Sequence, residues 1–85
     1  MVDRDRLNHL SIKDAATATM GIIDRAQDYS PERQLIAITA SFKLLTARLG
    51  IDPADAFTVA DNIMNHADGR RVEFDAVAAY MEGEL

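Results

Sequence analysis

The chain has 85 residues, 48% of them apolar and 27% charged, which is enough for one domain with a single modest hydrophobic core. It contains no cysteine, which excludes disulfide bonds, thiolate metal sites and cysteine nucleophiles. Fourteen acidic and nine basic side chains give a net charge of -5, which disfavours direct binding to nucleic-acid phosphates.

The first ten residues, MVDRDRLNHL, are rich in charged side chains and lack the apolar run of a signal peptide. We interpret residues 1–10 as a flexible N-terminal arm and residues 11–85 as a single helical domain. No apolar run approaches the roughly 18 residues of a membrane span. The sequence therefore predicts a cytoplasmic protein without membrane contact.

A first amphipathic helix is predicted from Ile12 to about Tyr29. Ser11 precedes it as an N-cap, and Asp14 stands three residues later, as in a capping box. Its apolar residues fall on one side at helical spacing, and Gly21 in the middle is a candidate for a close helix crossing. The predicted inward side comprises Ile12, Ala15, Ala16, Thr19, Met20, Ile22, Ile23 and Ala26.

The second predicted helix covers residues 31–49. Ser30 and Pro31 form a helix start, and Gly50 supplies a left-handed stop. Because the connection is short, the first two helices are predicted to pack as an antiparallel hairpin.

Two opposed apolar stripes run along this second helix. The leucine stripe comprises Leu35, Ile38, Phe42, Leu45 and Leu49. The alanine stripe comprises Ile36, Ala37, Ala40, Leu44 and Ala47. A surface helix needs one apolar face, so either this helix lies at the centre of the bundle or one face meets a partner subunit. The second alternative predicts a homodimer with contacts at Ile36, Ala40 and Leu44.

A third helix is predicted from Pro53, after the N-cap Asp52, to the stop at Gly69, and a fourth from about Val72 to the stop at Gly83. Sustained period-2 alternation is absent, so no sheet is expected. The sequence predicts an all-α protein, a small four-helix bundle with a possible dimer through the second helix.

The segment 61–69 collects most of the oxygen ligands that a metal could use. Asp61 and Asn65 lie one turn apart, as do Asn62 and His66, but neutral amides are poor ligands and an EF-hand register would place Met64 at its first ligand position. We expect a solvated helix face here, with no metal and no cofactor.

Enzymatic activity is not expected, because His9 and His66 fall into no spacing that forms a nucleophile, base and acid set. The segment LGIDP at 49–53 resembles the connections of acyl carrier proteins, but the attachment serine is missing. A helix-turn-helix is disfavoured because the third helix presents acidic residues where a recognition helix presents Arg or Lys. Direct nucleic-acid binding is therefore not expected.

Residues 59–65 (VADNIMN) and 73–82 (EFDAVAAYME) resemble the C-terminal part of small accessory proteins of tailed phages. This resemblance covers about a third of the chain. It implies a protein that binds a host protein in the host cytoplasm and inhibits or redirects it.

The functional prediction is a non-enzymatic protein-binding module, with a structural self-associating subunit as the alternative. Polar groups near the end of the third helix are expected to form a rim around the partner, and Phe57 or Tyr80 could anchor it. The predicted partner-binding residues are Asp61, Asn62, Asn65, His66, Arg70 and Arg71. The identity of the protein partner is left open.

Overall fold

The computed structural model describes residues 2–85, which contain five α-helices and one short antiparallel strand pair. The elements are α1 (Arg4–Asn8), α2 (Ile12–Ala26), α3 (Pro31–Leu49), α4 (Pro53–Met64), β1 (Asn65–His66), β2 (Gly69–Arg70) and α5 (Val72–Glu84). The prediction of a small all-α helical bundle is confirmed, and the four predicted helices correspond to α2, α3, α4 and α5.

Side-chain caps fix the starts of three helices at the predicted residues. Ser11 caps α2, Ser30 caps α3 and Asp52 caps α4, each with a side-chain oxygen that accepts a backbone N–H of the first turn. Gly50 ends α3 with φ 72, a left-handed conformation that glycine adopts without steric cost. These boundaries follow from local chemistry.

A short helix lies within the segment interpreted as a flexible arm. Asp3 caps α1, which packs against α4, and Arg4 Nη1 lies 3.3 Å from Asp55 Oδ1. Both side chains of this ion pair are about half exposed, so it stabilises the contact only weakly. The segment thus has a defined contact with the domain, and its mobility stays a prediction.

The hydrophobic core lies between α2 and α5. Ala16 and Ile23 of α2 are buried against Phe74 and Val77 of α5. Val59 of α4 is the most deeply buried side chain described, with 2% of its surface exposed. Burial of these side chains holds α2, α4 and α5 together.

The third helix, α3, lies outside this core. Its axis makes an angle of 110° with α4, and its contact with α2 is marginal although only four residues separate the two helices. The prediction of a packed antiparallel hairpin is therefore wrong, as is a central position for α3 in the bundle. The chain is flat, with extents of 34 × 31 × 18 Å, because α3 extends away from the other helices instead of covering them.

The helix predicted to continue to Gly69 ends at Met64. Residues 65–70 form a β-hairpin in which Asn65 pairs with Arg70 and His66 with Gly69. Gly69 has φ 132, a conformation that residues with a Cβ rarely adopt. The two-residue turn is Ala67-Asp68, and Gly69 follows it as the first residue of β2. Our helix interpretation missed this hairpin.

Two glycines behave differently from their predicted roles. Gly21 has no atom within 4 Å of the position a Cβ would occupy, so no close helix crossing occurs there. Gly83 lies inside α5, which continues to Glu84. Both positions are exposed helix surface.

Among residues 2–85, no single helix is long and apolar enough to cross a membrane. The pair α3 and α4 meets the length and composition criteria only when taken together across their sharp bend.

Candidate protein-interaction surface

The leucine stripe of α3 is largely exposed. Leu35 is 67% exposed and Leu45 56%, while Phe42 and Leu49 are half-buried. In α3, all of whose residues are described, Thr46 is the one buried side chain. The leucine stripe was predicted to face the core. That prediction is wrong, because no element of residues 2–85 covers the stripe.

The alanine stripe is exposed as well. Ile36 is 68% exposed and Leu44 73%, and Ala40 between them is also open to solvent. These are the three residues predicted to form a dimer contact. All three are accessible to solvent, which a dimer contact requires in the free monomer.

One pair of hydrogen bonds and one aromatic contact attach α3 to the rest of the domain. Gln34 Nε2 donates to the backbone oxygens of Ala26, at 3.0 Å, and Tyr29, at 2.9 Å. Toward the other end, the ring of Phe42 contacts that of Phe57 with centroids 4.7 Å apart. These contacts hold α3 in place while its middle turns remain bare.

An open groove of about 440 Å³ runs between α2 and α3. One wall includes Ile22 of α2 and Tyr29 of the connection to α3, and the α3 wall includes Ile38, Phe42 and Leu45. Ile22 was predicted to be buried, and it is exposed because α3 does not close over it. The groove is therefore an apolar surface that the described chain does not fill.

The predicted rim residues lie on the last turns of α4, on the hairpin and at the start of α5. All of them are exposed except Arg71, which is half-buried. Several make local contacts: Asn65 Nδ2 donates to the Asp61 carbonyl at 3.0 Å, and His66 Nδ1 accepts the Asp68 N–H at 3.0 Å. The hairpin thus gathers the predicted residues in one polar region.

The two rim arginines lie on different elements and make different contacts. They do not follow a helix C-terminus, since Arg70 lies in β2 and Arg71 is the N-cap of α5. Arg70 Nε lies 2.8 Å from Asp75 Oδ1, and Arg71 Nε is buried without a hydrogen-bond partner in the described chain. The Arg71 N–H donates to the Met64 carbonyl at 2.8 Å, so the two arginines lie beside the C-terminal end of α4 in space although not in sequence.

The two proposed aromatic anchors are engaged elsewhere. Phe57 of α4 is 61% exposed, and its ring contacts Phe42 of α3. Tyr80 of α5 donates a hydrogen bond from its hydroxyl to the Asp24 carboxylate of α2. Phe57 thus adds an aromatic ring to the α3 surface, and Tyr80 closes a cleft between α2 and α5.

This cleft has a volume of about 550 Å³ and is lined by Lys13, Asp24, Glu73 and Tyr80 among others. The hydrogen bond to Asp24, followed by desolvation and the charges of Asp24 and Glu84, raises the pKa of Tyr80 to about 12. A catalytic acid or base works best with a pKa near the working pH. Tyr80 stays protonated at neutral pH and serves as a structural donor.

We predict that the phenol of Tyr80 titrates near pH 12. In Asp24→Asn, which removes the negative charge beside the phenol, the midpoint of this titration should be lower. The hydrogen bond of Tyr80 stabilises the folded chain fully below about pH 10, the usual pKa of tyrosine. This stabilisation is lost as the pH rises to about 12, because the phenol of the unfolded chain ionises first. Absorbance of the phenolate in a Tyr29→Phe background measures the midpoint. An unchanged midpoint in Asp24→Asn would show that Asp24 is not the cause.

Across residues 2–85, no group of three His, Asp or Glu side chains is arranged to hold a metal ion. Comparisons with protein-family models, curated proteins and solved structures give no match. The phage resemblance therefore stays a prediction. The sequence predicted both apolar stripes of α3. It did not predict that Ile22, Tyr29 and Phe57 would be exposed beside them.

Proposed function

We propose that this chain is a non-enzymatic protein-interaction module that works as a homodimer, with α3 as the helix that joins the two copies. The observation that carries the proposal is the position of α3, the longest helix, outside the core with both apolar stripes exposed. Full burial of one leucine or isoleucine contributes about 1.5–3 kcal/mol. Several such side chains are exposed on α3, so the free energy that their burial would contribute is comparable to the whole stability of a small domain, about 5–15 kcal/mol.

A second copy is the occupant that the chain itself favours. The two stripes are long apolar surfaces on opposite sides of α3, and the buried centre of a homodimer interface is typically apolar. Gln34 hydrogen bonds and the Phe42–Phe57 ring contact already hold α3 against the domain, so association would not have to order a disordered segment. The proposed dimer thus buries an existing surface.

If the homodimer forms, the thermal midpoint of unfolding rises with protein concentration, because association stabilises only the folded chain. Circular dichroism at 222 nm over a wide micromolar range measures it. A strictly monomeric chain would unfold at the same temperature throughout this range, which would contradict the proposal.

A second candidate function is docking of an acidic protein surface at the hairpin. It is supported by the position of Asn65, His66 and Arg70 together on an exposed hairpin, with Arg71 beside them. If the phage resemblance holds, the partner is a host protein. Charge reversal at Arg70 and Arg71 would then weaken binding of an identified partner while the helix content stays unchanged.

A further inference from the structure

The inference concerns which face of α3 the second copy covers, and it rests on the proposed homodimer. We infer that the two copies pair through the leucine stripes of their α3 helices, which run antiparallel with the two-fold axis level with Ala40. In this arrangement each α3 lies over the open mouth of the α2–α3 groove of the other copy. The occupant of the groove is therefore a second copy of this chain.

The first argument is the symmetry of the stripe about Ala40. Leu35 and Leu45 lie five residues on either side of Ala40, and Ile38 and Phe42 lie two residues on either side. In an antiparallel pair with its two-fold axis at this level, Leu35 of one copy faces Leu45 of the other, and Ile38 faces Phe42. Every apolar side chain of the stripe's centre then meets another apolar side chain.

The spacing of the stripe supports the same arrangement. Its members alternate by three and four residues, the pattern of helices that interlock side by side. The flanking positions Gln34, Thr39, Ser41 and Thr46 are uncharged, so two stripes can approach without opposing any charges. The same flanking pairs are also symmetric about Ala40.

The helix dipoles select the antiparallel orientation. In an antiparallel pair the partly positive N-terminus of each α3 lies beside the partly negative C-terminus of the other, whereas parallel pairing places like ends together.

The leucine stripe also offers more apolar surface than the alanine stripe. Ile38, Phe42 and Leu45 line the groove, whose other wall contributes the exposed side chains of Ile22 and Tyr29. The alanine stripe has two large side chains, Ile36 and Leu44, and it contributes Ala37 alone to the lining of the groove. A second copy therefore buries more apolar area on the leucine stripe.

The test uses charged substitutions at facing positions of the stripe. Leu35→Lys and Leu45→Glu each place an unpaired charge twice in the symmetric interface, and each is expected to raise the dissociation constant of the homodimer about 100-fold or more. When the two variants are mixed, the new lysine of one copy meets the new glutamate of the other, and the remaining leucines meet each other. Sedimentation velocity of each variant alone and of the equimolar mixture should show monomers alone and dimers in the mixture.

The matched controls are Ile36→Lys and Leu44→Glu, which carry the same charges at equally exposed positions of the alanine stripe. They are expected to dimerise within about threefold of the original chain. Circular dichroism checks that all four variants are folded, which is expected because the replaced side chains are exposed and lysine and glutamate are good helix formers.

Three results would overturn the inference. If the control variants dissociate and the leucine-stripe variants do not, the alanine stripe is the interface. If the leucine-stripe variants dissociate and their mixture does not recover, the antiparallel register is wrong. In both cases the unmodified chain is still a dimer and the proposed function stands, whereas an unmodified chain that is monomeric removes the inference and the proposed function together.

Discussion

Phe74→Ala is expected to cost about 3–5 kcal/mol of the free energy of unfolding, the usual range for removing a buried aromatic ring. Phe74 is buried between α5 and α2, where it packs with Ala16, Ile23 and Val77. The core is small, so the cavity that the substitution leaves cannot be filled by neighbouring side chains without moving α2 or α5. A loss of this size is a large fraction of the stability of a small domain.

The control for this variant is Phe57→Ala, the same substitution at an exposed ring that contacts Phe42. It should cost less than about 1.5 kcal/mol, since a paired ring on the surface contributes little burial. Urea unfolding of both variants at one fixed protein concentration measures the difference. Equal costs would show that the α2–α5 interface is not the core of the domain.

Gly69→Val is expected to cost about 1–3 kcal/mol, because a β-branched residue at φ 132 is strained. Nothing lies within 4 Å of the position of an added Cβ, so the cost comes from the backbone and not from a clash. Gly69 pairs with His66 in the hairpin that connects α4 to α5. The strain should therefore loosen the hairpin that carries the polar rim.

Gly21→Ala provides the comparison, since Gly21 lies within α2 at a position with equal open space. There alanine is expected to stabilise the chain by about 0.5–1 kcal/mol, because glycine is a poor helix former. The two substitutions should move the urea midpoint in opposite directions. Equal shifts would contradict the hairpin geometry at Gly69.

The sequence allowed most helix starts to be predicted because they depend on local groups. Ser11, Ser30 and Asp52 accept backbone N–H groups of the turns that follow them, and Gly50 adopts the left-handed stop. Such contacts involve residues close in the chain, so their pattern can be recognised without the fold. The amphipathic pattern of α2 likewise predicted Ala16, Ile23 and Ala26 as buried.

The packing of α3 could not be predicted in the same way. The leucine stripe has the pattern of a buried face, but a pattern gives the direction of a face and not the surface that covers it. The chain places α5, and not α3, against α2, which leaves Ile22 and the leucine stripe exposed. The end of α4 was missed because Asn65 and His66 continue a helical pattern while the turn before Gly69 makes them strand residues.

Of the candidate interaction surface, the sequence predicted both apolar stripes of α3. The predicted dimer contact at Ile36, Ala40 and Leu44 stays a prediction, and the inferred pairing uses the leucine stripe instead. The sequence also predicted the polar rim, which the hairpin brings together, although by a different local structure. It did not reveal the groove, because Tyr29 and Ile22 become its wall only through the angle between α2 and α3. The Gln34 hydrogen bonds to Ala26 and Tyr29, which join α3 to the end of α2, are likewise not visible in a linear pattern.

The central claim is that a second copy covers α3 in solution, and sedimentation equilibrium of the unmodified chain tests it most directly. We expect a reversible monomer–dimer equilibrium across the micromolar range, with a mass that approaches twice that of one chain as concentration rises. A mass that stays at one chain up to high micromolar concentration would contradict the claim.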